Sequence, residues 1–210
     1  GYIDTNPCQY VSVPKHLRQS KRELPAEDDI SKVKNSVNCD FGFFALFLLY
    51  TGLRKGEALA LTYGDIDIKN SVIHVTKSVY FEGNIPKIKR PKTDAGYRDV
   101  LIPECLVSFF KTKHKPSDVV FPNNEGDYMH ASYFRDKWNR YRAESGVGIT
   151  PHQLRHAYAT ILYDAGLKDK DAQELLGHSD INVTKNIYTH ISQSRKQATA
   201  ALINKFIETQ

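Results

Sequence analysis

The spacing of apolar residues changes character along this chain, and the changes mark its elements. Residues 26–37 place apolar side chains at helical intervals, with acidic residues in the first turn where the helix dipole favours them. Residues 40–50 are apolar almost throughout and predict a buried helix that stops at Gly52. Residues 55–61 predict a third, shorter helix. The pattern then turns strand-like at 72–75, 78–81, 99–103 and 118–121, with Gly83-Asn84 as a turn signal and a helix at 104–111. Residues 131–146 return to a helical pattern carrying Trp138. From 152 the chain reads as almost continuous helix, at about 152–165, 169–176, 182–190 and 193–208, broken at Gly166 and Gly177. Helices, a small antiparallel sheet, then helices again predict an α+β fold that is mostly α.

The first 22 residues have no such pattern. They hold Pro7, Pro14 and the basic run 15–22, and read as a linker, either a solvated connector or a strap across a DNA backbone. The chain opens Gly1-Tyr2-Ile3 with no methionine, so a piece of a longer or processed protein is expected. At the other end, Ala198, Ala201, Leu202, Phe206 and their neighbours form an apolar stripe on a helical tail. Composition narrows the class. The net charge of +5 over 210 residues is weak support for a nucleic-acid partner. Three scattered cysteines, Cys8, Cys39 and Cys105, form neither a disulfide framework nor a zinc ribbon. The apolar run at 41–50 spans about half the roughly 20 residues a membrane helix needs, so no membrane partner is expected.

Candidate chemistry gathers in the last third. His152-Gln153-Leu154-Arg155-His156, then Leu176-Gly177-His178, then Tyr188, set histidines, an arginine and a tyrosine within forty residues. Far upstream stands Arg54, in Thr51-Gly52-Leu53-Arg54-Lys55-Gly56-Glu57. Arginines grip phosphate through forked, charge-assisted hydrogen bonds, and a tyrosine is a covalent nucleophile once something takes its proton. His152 and His156 share a helix face at zinc-protease spacing, but Gln153 occupies the position where that motif needs a glutamate, so the hydrolase reading is dropped.

These segments, in this order, resemble the catalytic domain of tyrosine recombinases, the phage integrase family. The likeness runs from about Leu24 to Ile191. It assigns the first catalytic arginine to Arg54. Pro91-Lys92-Thr93-Asp94-Ala95-Gly96-Tyr97-Arg98 resembles the hairpin segment that carries the family's catalytic lysine, which gives Lys92. His152 and Arg155 fall in the second box, His178 in the third-histidine motif and Tyr188 in the nucleophile motif. Two features depart from the commonest pattern. Ten positions separate His178 from Tyr188, a spacing that resembles integrases of conjugative transposons and Gram-positive phages, and glycine stands at 96 where serine is frequent.

The resemblance implies a site-specific DNA recombinase or integrase that cuts and rejoins duplex DNA through a 3′-phosphotyrosine, integrating or excising a mobile element. It implies residues 1–22 as a linker from an N-terminal core-DNA-binding domain, 23–191 as the catalytic domain and 192–210 as a tail that docks on its own domain or on a neighbouring subunit. It implies no cofactor and no metal. Its partners would be double-stranded DNA, further copies of the chain in a tetramer, and an excisionase or host architectural protein, in the cytoplasm of a bacterial host. The rivals are a Xer-like dimer resolvase with the same chemistry and a catalytically silent DNA-binding module.

Overall fold

The structure is a computed structural model and describes residues 25–91, 96–178, 180–189 and 191–192. The expected linker at 1–22, Lys92 and the tail at 193–210 lie outside the described residues.

Helix α1 (Glu27–Asn35) opens with Glu27, Asp28 and Asp29 and carries a Lys32–Asp28 pair across one turn. Helix α2 (Gly42–Thr51) is buried on every side, with Phe44, Phe47, Leu48 and Leu49 at 1% exposure or less, so it is the axis of the main core. It ends at Gly52, which has φ +63°. A Cβ there would also lie 2.1 Å from the Tyr158 ring, so the turn and the close approach both require glycine. Helix α3 (Lys55–Ala60) starts three residues after Gly52.

The β region forms two small antiparallel sheets rather than one. Strands β1 (Ile66–Asp67), β2 (Val72–Val75) and β5 (Arg98–Leu101) make the first, in the order β1-β2-β5, with Ile73 opposite Val100 and Val75 opposite Arg98. Strands β3 (Ser78–Glu82) and β4 (Ile85–Lys89) make a separate hairpin around Gly83-Asn84, with Gly83 at φ +59°. The sequence pattern assigns no strand to β4. Its Pro86 and its run of cations suit an outer strand that pairs on one side only. The expected strand at 118–121 does not form. Val119 makes a single bridge to Thr62, because the chain around Thr62 turns at once into a 3₁₀ turn (Tyr63–Asp65) and offers no length to pair with. The apolar side chains of that run are buried nonetheless.

The expected helix at 104–111 is α4 (Glu104–Val107) followed by a 3₁₀ turn. Helix α5 (Ala131–Ser145) buries Phe134, Trp138 and Tyr141 in the main core. Helix α6 (Pro151–Asp164) begins with a reciprocal cap: the Gln153 amide donates to Thr150 Oγ1, and the Thr150 amide donates to Gln153 Oε1. Gln153, at the position that the zinc motif would give to a glutamate, therefore serves the helix start. Helix α7 (Asp169–Leu176) ends at Gly177 with φ +62°, and residues 181–189 form α8. A second, smaller core joins α6, α7 and α8 through Tyr158, Leu162, Ala172, Leu176, Tyr188 and Ile191. The observed fold is α+β and mostly helical, as the sequence predicts.

Candidate active site

The last carbonyls of a helix have no partner within it and lie at the negative end of its dipole. At the end of α7 three successive carbonyls are each taken by a different arginine. Arg98 Nε donates to the Leu175 oxygen at 3.0 Å, Arg155 Nη2 donates to the Leu176 oxygen, and Arg54 Nη2 donates to the Gly177 oxygen at 3.0 Å. Residues distant in sequence, from the start of α3, from β5 and from α6, thus meet at one helix end.

Each guanidinium has a further anchor. Arg155 is buried and also donates to the Gly52 oxygen at 2.7 Å, which ties α6 to the stop of α2. Arg54 and Arg98 share Glu57. Arg54 Nη1 donates to Glu57 Oε1 at 2.7 Å, and Arg98 donates to both carboxylate oxygens at 3.2 and 2.8 Å. Glu57 also accepts from the Arg54 amide at 2.8 Å. Burial alone would raise the Glu57 carboxyl. Arg98, and then Arg54, overcome that penalty and hold it at about 2.

Three guanidiniums against one carboxylate leave the site with positive charge in excess. Burial, followed by repulsion from Arg54, pushes the Arg155 pKa down from its usual value. A site in that state favours an anion. Arg54, still 45% exposed at its side chain, faces a cleft of about 240 Å³ that it shares with Lys77, Lys89, Arg90 and Gly177.

His178 follows directly. Its Nδ1 lies 2.9 Å from the buried Thr184 hydroxyl, and its carbonyl accepts from Gln173 Nε2. A histidine beyond a helix end is expected to favour the cationic form. Here burial, and then Arg155, Arg54 and Arg98, reverse that expectation and lower its pKa to about 4.

The structure therefore brings Arg54, Arg155 and His178 together. His152 sits exposed in the first turn of α6, one turn before Arg155, with its ring 4.6 Å from that of His156. Tyr188 is elsewhere in character: only 7% exposed, in the second core, with its hydroxyl buried and without a hydrogen-bond partner among the described residues. Burial, Asp169 and Tyr158 push its pKa up to about 12. Lys92 lies outside the described residues. Its neighbour Gly96 has a local reason to be glycine, because a Cβ there would fall 2.4 Å from Pro91 Cβ, and the serine frequent at this place would displace that ring. Among the described residues no cluster of three or more His, Cys, Asp and Glu side chains is arranged to hold a metal.

Arg98 is the residue that motif reading passes over. It ends the segment that contains Lys92, and its only sequence signal is that position. Its buried bidentate pairing with Glu57 depends on a tertiary contact between α3 and β5 that no local pattern announces.

Comparison with known proteins agrees with this geometry. Residues 27–195 match the phage integrase family. The chain is 31% identical over 238 residues to a XerC-like tyrosine recombinase of Caldanaerobacter subterraneus subsp. tengcongensis, covering 97% of this chain and 61% of that protein. It is 31% identical over 180 residues to the transposase of transposon Tn916 from Enterococcus faecalis, covering 76% of this chain and 44% of the transposase. Among solved structures, the Tn1549 transposon integrase in complex with circular intermediate DNA aligns with a TM-score of 0.69 at 25% identity, over 87% of this chain and 68% of that one. The catalytic domain of bacteriophage HP1 integrase shares the fold, with a TM-score of 0.56 at 21% identity, over 85% of this chain and 95% of that domain. The chain spans about three fifths of the length of the first of these curated relatives. With the family match covering most of its length, and with the arginines and His178 of the family's motifs gathered at one helix end, the chain belongs to the phage integrase family.

Proposed function

We propose that this chain is the catalytic part of a site-specific DNA recombinase that cuts and rejoins duplex DNA through a 3′-phosphotyrosine, in the integration or excision of a mobile element. The observation that carries the reading is the set of guanidiniums fixed on the carbonyls of α7, with positive charge in excess. A phosphodiester entering there meets Arg54 and Arg155 as preorganised donors, and their effect grows as charge collects on the non-bridging oxygens in the transition state. Tyr188 attacks phosphorus, its phenolic proton passes to a histidine base, and the 5′ oxygen leaves with a proton from Lys92. Arg54, Lys92, His152, Arg155, His178 and Tyr188 are the proposed catalytic set. The phosphotyrosine ester keeps the bond energy, so a second DNA hydroxyl can reverse the step.

The ten-position spacing from His178 to Tyr188 and the similarity to the Tn916 transposase support a mobile element. The similarity to a XerC-like recombinase supports, as the second reading, a resolvase with the same chemistry. Double-stranded DNA is the proposed substrate, with basic β4 and the exposed cations of α5 as contacts and a steep loss of affinity with salt. A tetramer of the chain on DNA, an excisionase or host architectural partner and a bacterial cytoplasm complete the proposal. The test is a nicked suicide substrate. A covalent protein–DNA band that Tyr188→Phe abolishes supports the enzyme, whereas a mobility shift without such a band supports a silent DNA-binding module.

A further inference from the structure

We infer that Arg98 is a positioning residue for this proposed cleavage: it holds Glu57, and through Glu57 the guanidinium of Arg54, in place to receive the phosphate. The inference rests on the recombinase reading and adds to it a residue that does not itself touch the DNA.

The geometry divides the labour between the two arginines. The Arg98 side chain is 6% exposed and that of Glu57 8%, whereas that of Arg54 is 45% exposed. Arg98 directs three donors inward, one to the end of α7 and two to Glu57. Arg54 commits two of its five N–H groups, to Glu57 and to Gly177, and keeps the rest for the cleft. Both contacts that orient Arg54 are ones that Arg98 braces. Glu57 is held by Arg98 at both carboxylate oxygens, and the α7 end that supplies Gly177 is pinned through Leu175.

Gly177 also leaves room for the brace. A Cβ there would lie 2.8 Å from Arg98 Nη1 and 2.9 Å from its Cδ, at a φ of +62° that already favours glycine. The Gly177 of the histidine motif and the Arg98 of the lysine segment are thus one packing unit.

Charge gives a second reason for Arg98. Glu57 opens on the same cleft as Arg54, Lys77, Lys89 and Arg90, and Arg155 and His178 stand at the adjoining helix end. A carboxylate in that place repels a phosphate. Bidentate pairing with Arg98 cancels its charge and leaves Arg54 free to act on the ligand.

The test uses Arg98→Gln and Arg98→Lys in the full chain, with three readouts: melting temperature, DNA affinity by mobility shift, and covalent capture of a nicked substrate at saturating DNA. Arg98→Gln is expected to bind DNA within about threefold of the parent but to be captured about 10- to 100-fold more slowly, the size of loss that follows when a catalytic group is displaced by a fraction of an ångström to an ångström. Its deficit should deepen as pH falls, because a Glu57 without Arg98 takes up a proton and releases Arg54. Arg98→Lys keeps the charge, loses the fork and should recover part of the rate. Capture by Arg98→Gln at the parental rate overturns the inference, as does Arg98→Lys performing no better than Arg98→Gln, or a loss of capture that follows lost binding. If Arg98→Gln does not fold, Arg98→Lys decides: a folded, DNA-binding protein with slowed capture supports the inference, and parental capture overturns it. Absence of capture by the parent chain would instead remove the recombinase reading, and this inference with it.

Discussion

The Tyr188 ring meets the Tyr163 ring edge to face, with 5.0 Å between centroids. That contact belongs to the second core, and burial, then Asp169 and Tyr158, push the phenol's pKa up to about 12. To act as the proposed nucleophile it has to leave this packing and come under the influence of the arginines. Burying a hydroxyl without a partner costs about 1–3 kcal/mol. Tyr188→Phe should therefore fold at least as stably as the parent, bind DNA as well, and form no covalent adduct. A chemical melt and a suicide substrate check this together. A strongly destabilised Phe variant would mean that the hydroxyl has a partner in solution. An adduct from that variant would move the nucleophile to another tyrosine.

His178 carries a prediction about pH. Its folded pKa, near 4, is below the usual histidine value, so the unfolded chain binds its proton more readily. The stability tied to His178 is present above about pH 6.5 and is lost as pH falls through 4. A bound anion should offset the three arginines and raise the value. NMR titration of the ring should find a midpoint far below 6 in the free chain that shifts upward when DNA is added. An ordinary midpoint near 6.5 in the free chain would contradict the burial and the repulsion described for this ring.

Lys92→Ala should slow covalent capture strongly with ordinary DNA. A substrate with sulfur at the bridging 5′ position needs no proton on departure, so it should restore the rate if Lys92 is the acid. A variant that binds DNA normally and stays slow on the sulfur substrate would show that Lys92 acts by position.

Much of this is legible in the sequence. Apolar spacing placed α2, α5 and α6 within a few residues, because each buries a wide stripe and ends at a glycine or begins at a cap that sequence displays. Motif order chose Arg54, Arg155 and His178, which the fold unites. What could not be read was tertiary. The strand at 118–121 failed because its partner segment turns away, and β4 went unassigned because its proline and lysines mask a strand that pairs on one side. The lowered pKa of His178 depends on its burial and then on three guanidiniums from three other elements, and no periodicity reports such a meeting. The burial of Tyr188 likewise depends on the packing of α8 against α6 and α7.

Asn84, at the turn of the β3–β4 hairpin, serves the start of another element. Its carbonyl accepts from the Ala131 amide at 3.1 Å, and its Oδ1 accepts from the Ser132 amide at 2.7 Å. These are first-turn donors of α5 that the helix cannot satisfy itself, and His130, the residue preceding it, supplies no side-chain cap. The hairpin thus caps α5 from outside. Lys55 reinforces the joint, with its ammonium 5.6 Å from the Phe81 ring on β3 and 4.9 Å from the Phe134 ring on α5. Asn84→Ala keeps the carbonyl bond and loses the side-chain one, which should cost about 1 kcal/mol by analogy with ordinary N-caps. Asn84→Asp keeps an acceptor and adds negative charge at the positive end of the α5 dipole, so it should be as stable as the parent or slightly more. Denaturant melts should rank the proteins Asp at or above Asn, and Asn above Ala. If α5 also contacts DNA as proposed, Asn84→Ala should weaken binding as well, since the hairpin and the helix would be held less firmly in one register. An alanine variant equal to the parent in both measurements would leave the Asn84–Ser132 bond without consequence, and the hairpin and α5 would then have to be treated as independent surfaces.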